Sequence, residues 1–145
     1  MTEVTFHFNA PDKTAYVCRL LRKAVASGAR VVVTAGAQEL QALDVALWTF
    51  APLDFVPHCR ASAEPAMLAC SPVLLTRAAP AAPHQQVLVN MGDQVPEGFE
   101  RFERLIEIVG VHDDDRVQAR GRWKHYADRG YAITRHDVAS RSPER

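Results

Sequence analysis

The chain has 145 residues and a mass of 16.1 kDa, enough for one domain with a real core. Hydrophobic residues make up 48% and charged residues 23%, which excludes a mostly disordered chain. Lys plus Arg and Asp plus Glu number 17 each, so the formal net charge is zero. Broad wrapping of nucleic acid, which rests on an overall positive excess, is therefore disfavoured.

Val4, Phe6 and Phe8 alternate with Thr5 and His7, the period-two pattern of a strand. A helix is predicted from about Pro11 to Ser27, with Val17, Leu20, Leu21, Ala24 and Val25 on one stripe and Gly28 just past its end. Arg30 to Thr34 carries VVV, which reads as a strand covered on both faces. A second helix runs from about Ala37 to Trp48, its apolar face made of Leu40, Leu43 and Leu47. This β-α-β-α opening predicts an α/β domain with parallel neighbouring strands.

Between Pro52 and Pro83 the character changes, with six of the nine prolines amid many alanines. The reading there is long loops around one short strand, Val73 to Thr76, next to Pro72. QVLVN, Gln86 to Asn90, gives another strand, Glu97 to Glu103 a helical turn, and Leu105 to Val111 a further strand. Asp113, Asp114 and Asp115 then open a last helix to about Arg129, where carboxylates complement the helix dipole. Gly130 ends it, and Tyr131 to Asp137 reads as a short edge strand. One domain over 1–138 and a frayed tail over 139–145 are expected.

The first strand-to-helix turn, FNAPDKTA, has neither GxGxxG nor GxxxxGK[ST], and the second, TAGAQ, has a single glycine. A phosphate cradle is missing from both, so no nucleotide cofactor is expected. Cys18, Cys59 and Cys70 are an odd count without CxxC spacing, as suits free thiols in a reducing cytosol. His58 beside Cys59 reads as a loop histidine and a packing thiol, since a metal needs more ligands at tighter spacing. His136 with Asp137 is a lone pair, and His125 reads as a solvated imidazole. No catalytic constellation and no metal site are expected. The opening MTEVTFHFNA has no signal-peptide pattern, and no window reaches the roughly 20 apolar residues of a membrane span. A cytoplasmic protein is expected.

Charge is segregated along the chain. Residues 93–115 hold eight acidic and two basic side chains, whereas 116–135 hold six basic and one acidic. On the last helix Arg116, Arg120, Trp123 and Ala127 share one face, with Lys124 at its margin. Such a face suits an acidic peptide ending in an apolar side chain and a carboxylate. A solvated basic face with Trp123 packed on the sheet is the alternative, and the residues alone leave both open. Trp48 lies at the edge of its helix's apolar stripe and is followed by Phe50, Phe55 and Val56. It is either an interface anchor or a cap on the core.

LDVALWTFAPLDFVPH, Leu43 to His58, closely resembles the LDEALW…FVPH stretch of the chi subunits of bacterial DNA polymerase III holoenzyme. RGRWKHYADRGY, Arg120 to Tyr131, is similar to that family's R-x-R-[YW]-K-x-Y stretch with a following glycine and aromatic. The likeness keeps its order along nearly the whole chain. It implies a three-layer Rossmann-like fold, a central mainly parallel sheet with helices on both faces, used as an adaptor without catalysis of its own. It implies two partners: the small clamp-loader subunit psi and the acidic, Pro-Phe-ending tail of single-stranded DNA-binding protein. Carried over by position, Val109, Arg120, Trp123 and Lys124 would hold the tail, and Trp48 and Phe55 would face psi. Trp123 stands where the family often has Tyr, which removes a phenol hydroxyl but keeps the apolar wall. A helicase is a further partner that the psi-facing surface allows, and contact with DNA would be indirect. A nucleotide-dependent enzyme and a direct single-strand binder stacking bases on Trp123 are the competing classes.

Overall fold

The computed structural model describes residues 2–49, 58–60, 72–77 and 84–138. Phe55, Cys70, the middle of the Ala/Pro-rich segment and the tail 139–145 lie outside these residues. In chain order the elements are β1 (Glu3–Ala10), α1 (Lys13–Ala26), β2 (Val31–Thr34), α2 (Ala37–Thr49) and β3 (His58–Arg60). There follow β4 (Val73–Thr76), β5 (Val87–Asn90), β6 (Arg104–Gly110), α3 (Asp113–Asp128) and β7 (Ile133–Asp137). A single 3-10 turn, Phe99–Arg101, stands where a helical turn is predicted.

The strands form one sheet in the order β3-β4-β2-β5-β6-β1-β7, and every neighbouring pair is parallel. Alternate residues of the strands feed two cores. Val31, Val33, Leu75, Val89, Ile106 and Ile108 pack against Val17, Leu21, Leu40 and Leu43 of α1 and α2. On the other face Val4, Phe6, Leu88, Leu105 and Val109 meet Ala119 and Tyr126 of α3. All four residues of β2 are buried, as its β-branched run requires of a strand between two layers. The result is the three-layer Rossmann-like arrangement.

Local chemistry sets the helix ends. Asp12 caps α1 by accepting from the Ala15 amide at 3.1 Å. Gly28 and Gly130, at φ of 87° and 81°, close α1 and α3 in the same left-handed way. The next amides reach back to Ala24 O at 2.9 Å and Tyr126 O at 3.1 Å, satisfying carbonyls that the helix leaves open.

The expectation of one strand between Pro52 and Pro83 needs correction, because β3 is a second. It has three residues, paired in register with Val73, Leu74 and Leu75 of β4, and is too short to show a periodicity of its own. His58, read as a loop histidine, is its first residue and is buried. His125, read as solvated, is half-buried, with its ring 6.3 Å from that of Phe99.

Candidate functional site

The connection from β6 to β7 carries α3 across β1, and a cleft of about 620 Å³ opens between them. Its size falls among small-ligand sites, roughly 300–1,000 Å³. Strand alternation turns Phe6 and Phe8 of β1 and Val109 of β6 toward the helix, and they line the cleft with Ala119 and Trp123 of α3. Trp123 is half-buried, with its ring centroid 5.0 Å from that of Phe6. The indole thus packs on the sheet and lines the cleft at once, so its packing does not by itself decide between the two readings.

Three guanidinium groups border this apolar surface: Arg116 and Arg120 from α3, and Arg135 from β7. All three residues are exposed, and among the described residues none pairs with a carboxylate. Arg116 is held by a relay: its Nη2 donates to Asn9 Oδ1 at 2.9 Å, and Asn9 Nδ2 donates to Asp137 Oδ1 at 3.1 Å.

Asn9 reaches the cleft because β1 is irregular at its end. His7 pairs with Ile108 and Ala10 with Gly110, so β1 spends one more residue than β6 over the same step. Asn9 absorbs the extra residue at φ 65°, a left-handed conformation that Asn tolerates better than most side chains.

Of the four residues expected to hold an acidic tail, Val109, Arg120 and Trp123 line this cleft together. Lys124 does not line it: its side chain is 78% exposed and lies 3.7 Å from Asp128, one turn along the helix. Arg122, counted in the basic segment, points away altogether and forms a buried pair with Glu107. Phe6, Phe8, Asn9 and Arg135 also line the cleft, and the sequence alone does not mark them as site residues. Their local patterns were legible, but which helix covers β1 and which strand flanks it are facts of topology.

His136 and Asp137 do not act as a pair. His136 lies beside His7, ring centroids 5.0 Å apart, and His7 Nδ1 meets the Tyr16 hydroxyl of α1 at 2.5 Å. Asp137 bonds Asn9 on the α3 side. Among the described residues, no group of three or more His, Cys, Asp or Glu is gathered as a metal would need.

At the C-terminal ends of the strands, where ligands of open α/β sheets gather, Lys13 occupies the first turn of α1. Its Nζ donates to Met91 O at 2.9 Å and to Asp115 Oδ2 at 3.2 Å, and the same Asp115 oxygen accepts from the Gly110 amide at 2.6 Å. A Cβ at Gly110 would lie 3.3 Å from both Lys13 and Asp115, so this corner is tightly filled by the protein itself.

On α2, Trp48 is 61% exposed, which disposes of its role as a core cap. Its ring stands edge-on to that of His58 at 5.6 Å, and His58 Nε2 meets Asp44 Oδ1 at 2.9 Å. Gln38, Gln41, Ala42 and Val45 are exposed on the same helix, and none carries a charge. Phe55, the other residue expected on this surface, lies outside the described residues.

Among the described residues no helix is long and apolar enough to cross a membrane. A family model described as DNA polymerase III chi subunit, HolC, matches residues 1–134. The chain is 30% identical over 141 residues to the DNA polymerase III subunit chi of Pseudomonas aeruginosa, covering 94% of this chain and 96% of that one. It is 26% identical over 123 residues to the subunit chi of Haemophilus influenzae, covering 83% and 84%.

Proposed function

The chain belongs to the DNA polymerase III chi subunit family, an accessory part of the polymerase assembly, and from that premise we propose a non-catalytic, two-sided adaptor. One side grips the acidic C-terminal tail of single-stranded DNA-binding protein, and the other joins the clamp loader through psi. The observation that carries the first half is the cleft itself. Its apolar lining, with Phe6 and Trp123 at 5.0 Å, is bordered by guanidinium groups that no carboxylate of the described residues neutralises.

In this reading the terminal side chain of the tail sits among Phe6, Val109 and Trp123. Arg120 takes the terminal carboxylate bidentately and the anchored Arg116 stands beside it. Lys124 contributes from the rim as a solvated charge, which affects encounter more than the bound state. An affinity on the order of micromolar fits so small a contact, and several tails on one coated strand raise the effective concentration. Lys13 filling the first β-α turn supports a binding rather than nucleotide-dependent role. The exposed residues that accompany Trp48 on α2, namely Gln38, Gln41, Ala42 and Val45, carry no charge and suit the assembly partner, with Phe55 expected beside them.

Calorimetry against an Asp-rich peptide ending in Pro-Phe tests the tail site, with an amidated peptide and a bare oligonucleotide as controls. The free acid should bind and both controls should fail. Arg120→Ala should weaken binding about tenfold and Lys124→Ala about twofold, the latter only at low salt. Equal binding of acid and amide, or unchanged affinity in Arg120→Ala, overturns the assignment.

A further inference from the structure

We propose that Arg135 is a second specificity-determining residue of this cleft, reading an acidic side chain upstream of the ligand's C-terminal residue. The inference rests on the tail-binding reading of the cleft and adds the direction in which the ligand leaves it.

The cleft has a helix as one wall and the sheet as its floor, and Arg116 and Arg120 both belong to the helix wall. A terminal carboxylate held there sends the rest of the peptide across the floor toward β7. That strand is the last of the sheet, so a peptide running this way passes over it and by Arg135. The parallel register sets Arg135 directly beside Phe6 and Asp137 beside Phe8, which puts the Arg135 side chain on the α3 face of the sheet edge.

The guanidinium of Arg135 lies over the Phe8 ring, 5.5 Å from its centroid. The ring attracts the cation through its quadrupole without occupying any of its N–H donors, which suits the group to receive a carboxylate. Among the described residues no carboxylate forms an ion pair with it. Neighbouring Asp137 is engaged with Asn9, which separates the acid that orients Arg116 from the cation that meets the ligand. Recognition is thereby divided: the helix reads the end of the chain, and the sheet edge reads charge before it.

A double-mutant cycle tests this with the whole protein and two peptides that share a free Pro-Phe terminus, one with upstream Asp residues and one with Asn in their place. Arg135→Gln should weaken the Asp peptide about fivefold and leave the Asn peptide within about 1.5-fold of the parent protein. Arg120→Ala should weaken both. Arg129→Gln, which removes an exposed charge at the far end of α3, should not distinguish the peptides. Equal losses for the two peptides in Arg135→Gln, no loss for either, or the same discrimination in Arg129→Gln each overturn the inference while leaving the tail site standing. If neither peptide binds the parent protein, the tail-binding reading falls and takes this one with it.

Discussion

Arg122 donates from Nε to Glu107 Oε1 at 2.9 Å, and the two side chains are 2% and 0% exposed. Glu107 also accepts from the Tyr126 hydroxyl and from Asn90 Nδ2, the latter at 2.9 Å. Asn90 in turn accepts from Thr34 Oγ1 at 3.2 Å, so one polar network crosses β2, β5, β6 and α3 through the apolar layer. Burial pushes the Glu107 carboxyl up and Arg122 pulls it back, while burial and the adjoining carboxylate push the Tyr126 phenol up.

Breaking this pair on one side leaves an uncompensated buried charge. Arg122→Ala should cost about 3–5 kcal/mol in urea unfolding, and a joint Glu107→Leu, Arg122→Met replacement should cost less than Arg122→Ala alone. Because α3 carries the cleft, Arg122→Ala should also lose tail peptide. A loss below about 1 kcal/mol would mean that the helix is held by its apolar contacts alone.

Asn9 connects backbone irregularity to the site. Asn9→Gly keeps the left-handed backbone available but removes both hydrogen bonds, so stability should change by less than about 1 kcal/mol while tail affinity falls about threefold. Asn9→Ala should lose stability as well, since alanine keeps a Cβ that disfavours φ near 65° and lacks the amide that offsets it in Asn. Calorimetry and thermal melts on the two variants separate the effects, and equal stability of both would remove the strain argument.

The His7 imidazole has its pKa pushed down to about 4, first by burial and then by His136. The unfolded chain therefore takes up this proton before the native one does. Stability is fully present above about pH 6.5, falls as pH drops toward 4, and levels off below that. The loss should be about 1–2 kcal/mol after allowing for partial solvent access. His7→Phe should flatten that segment of the stability profile, and the His7 ring resonances should titrate near pH 4. A midpoint near 6.5 would refute the effect.

Trp48→Ala removes an exposed ring, so its stability cost should stay under about 1 kcal/mol. Capture of psi should be lost in a pull-down while tail peptide binds with unchanged affinity, because α2 and the cleft lie on opposite faces of the sheet. Loss of both partners would point to unfolding and not to a partner surface.

Much of the fold was legible because its signals are local. The alternation of Val4, Phe6 and Phe8, the VVV run, the apolar stripe of α1 and the stops at Gly28 and Gly130 each depend on residues within a few positions of one another. The helical period also placed Arg120 and Trp123 on one face, and the cleft keeps them together. The same period separates Arg122 from that face, yet a charge count along the chain cannot show that it is buried. β3 escaped notice because three residues are stabilised by pairing with β4 rather than by any pattern of their own.

The sequence by itself determined the alternation of strands and helices, the family, and two charged and aromatic positions on α3. Only the tertiary structure decided that α3 lies over β1, that β7 closes the sheet beside it, and that Phe8, Asn9 and Arg135 enter the site. The physical reason is range. Periodicity and capping are settled by neighbours along the chain, whereas strand order, register and the single extra residue at Asn9 depend on partners about a hundred residues away.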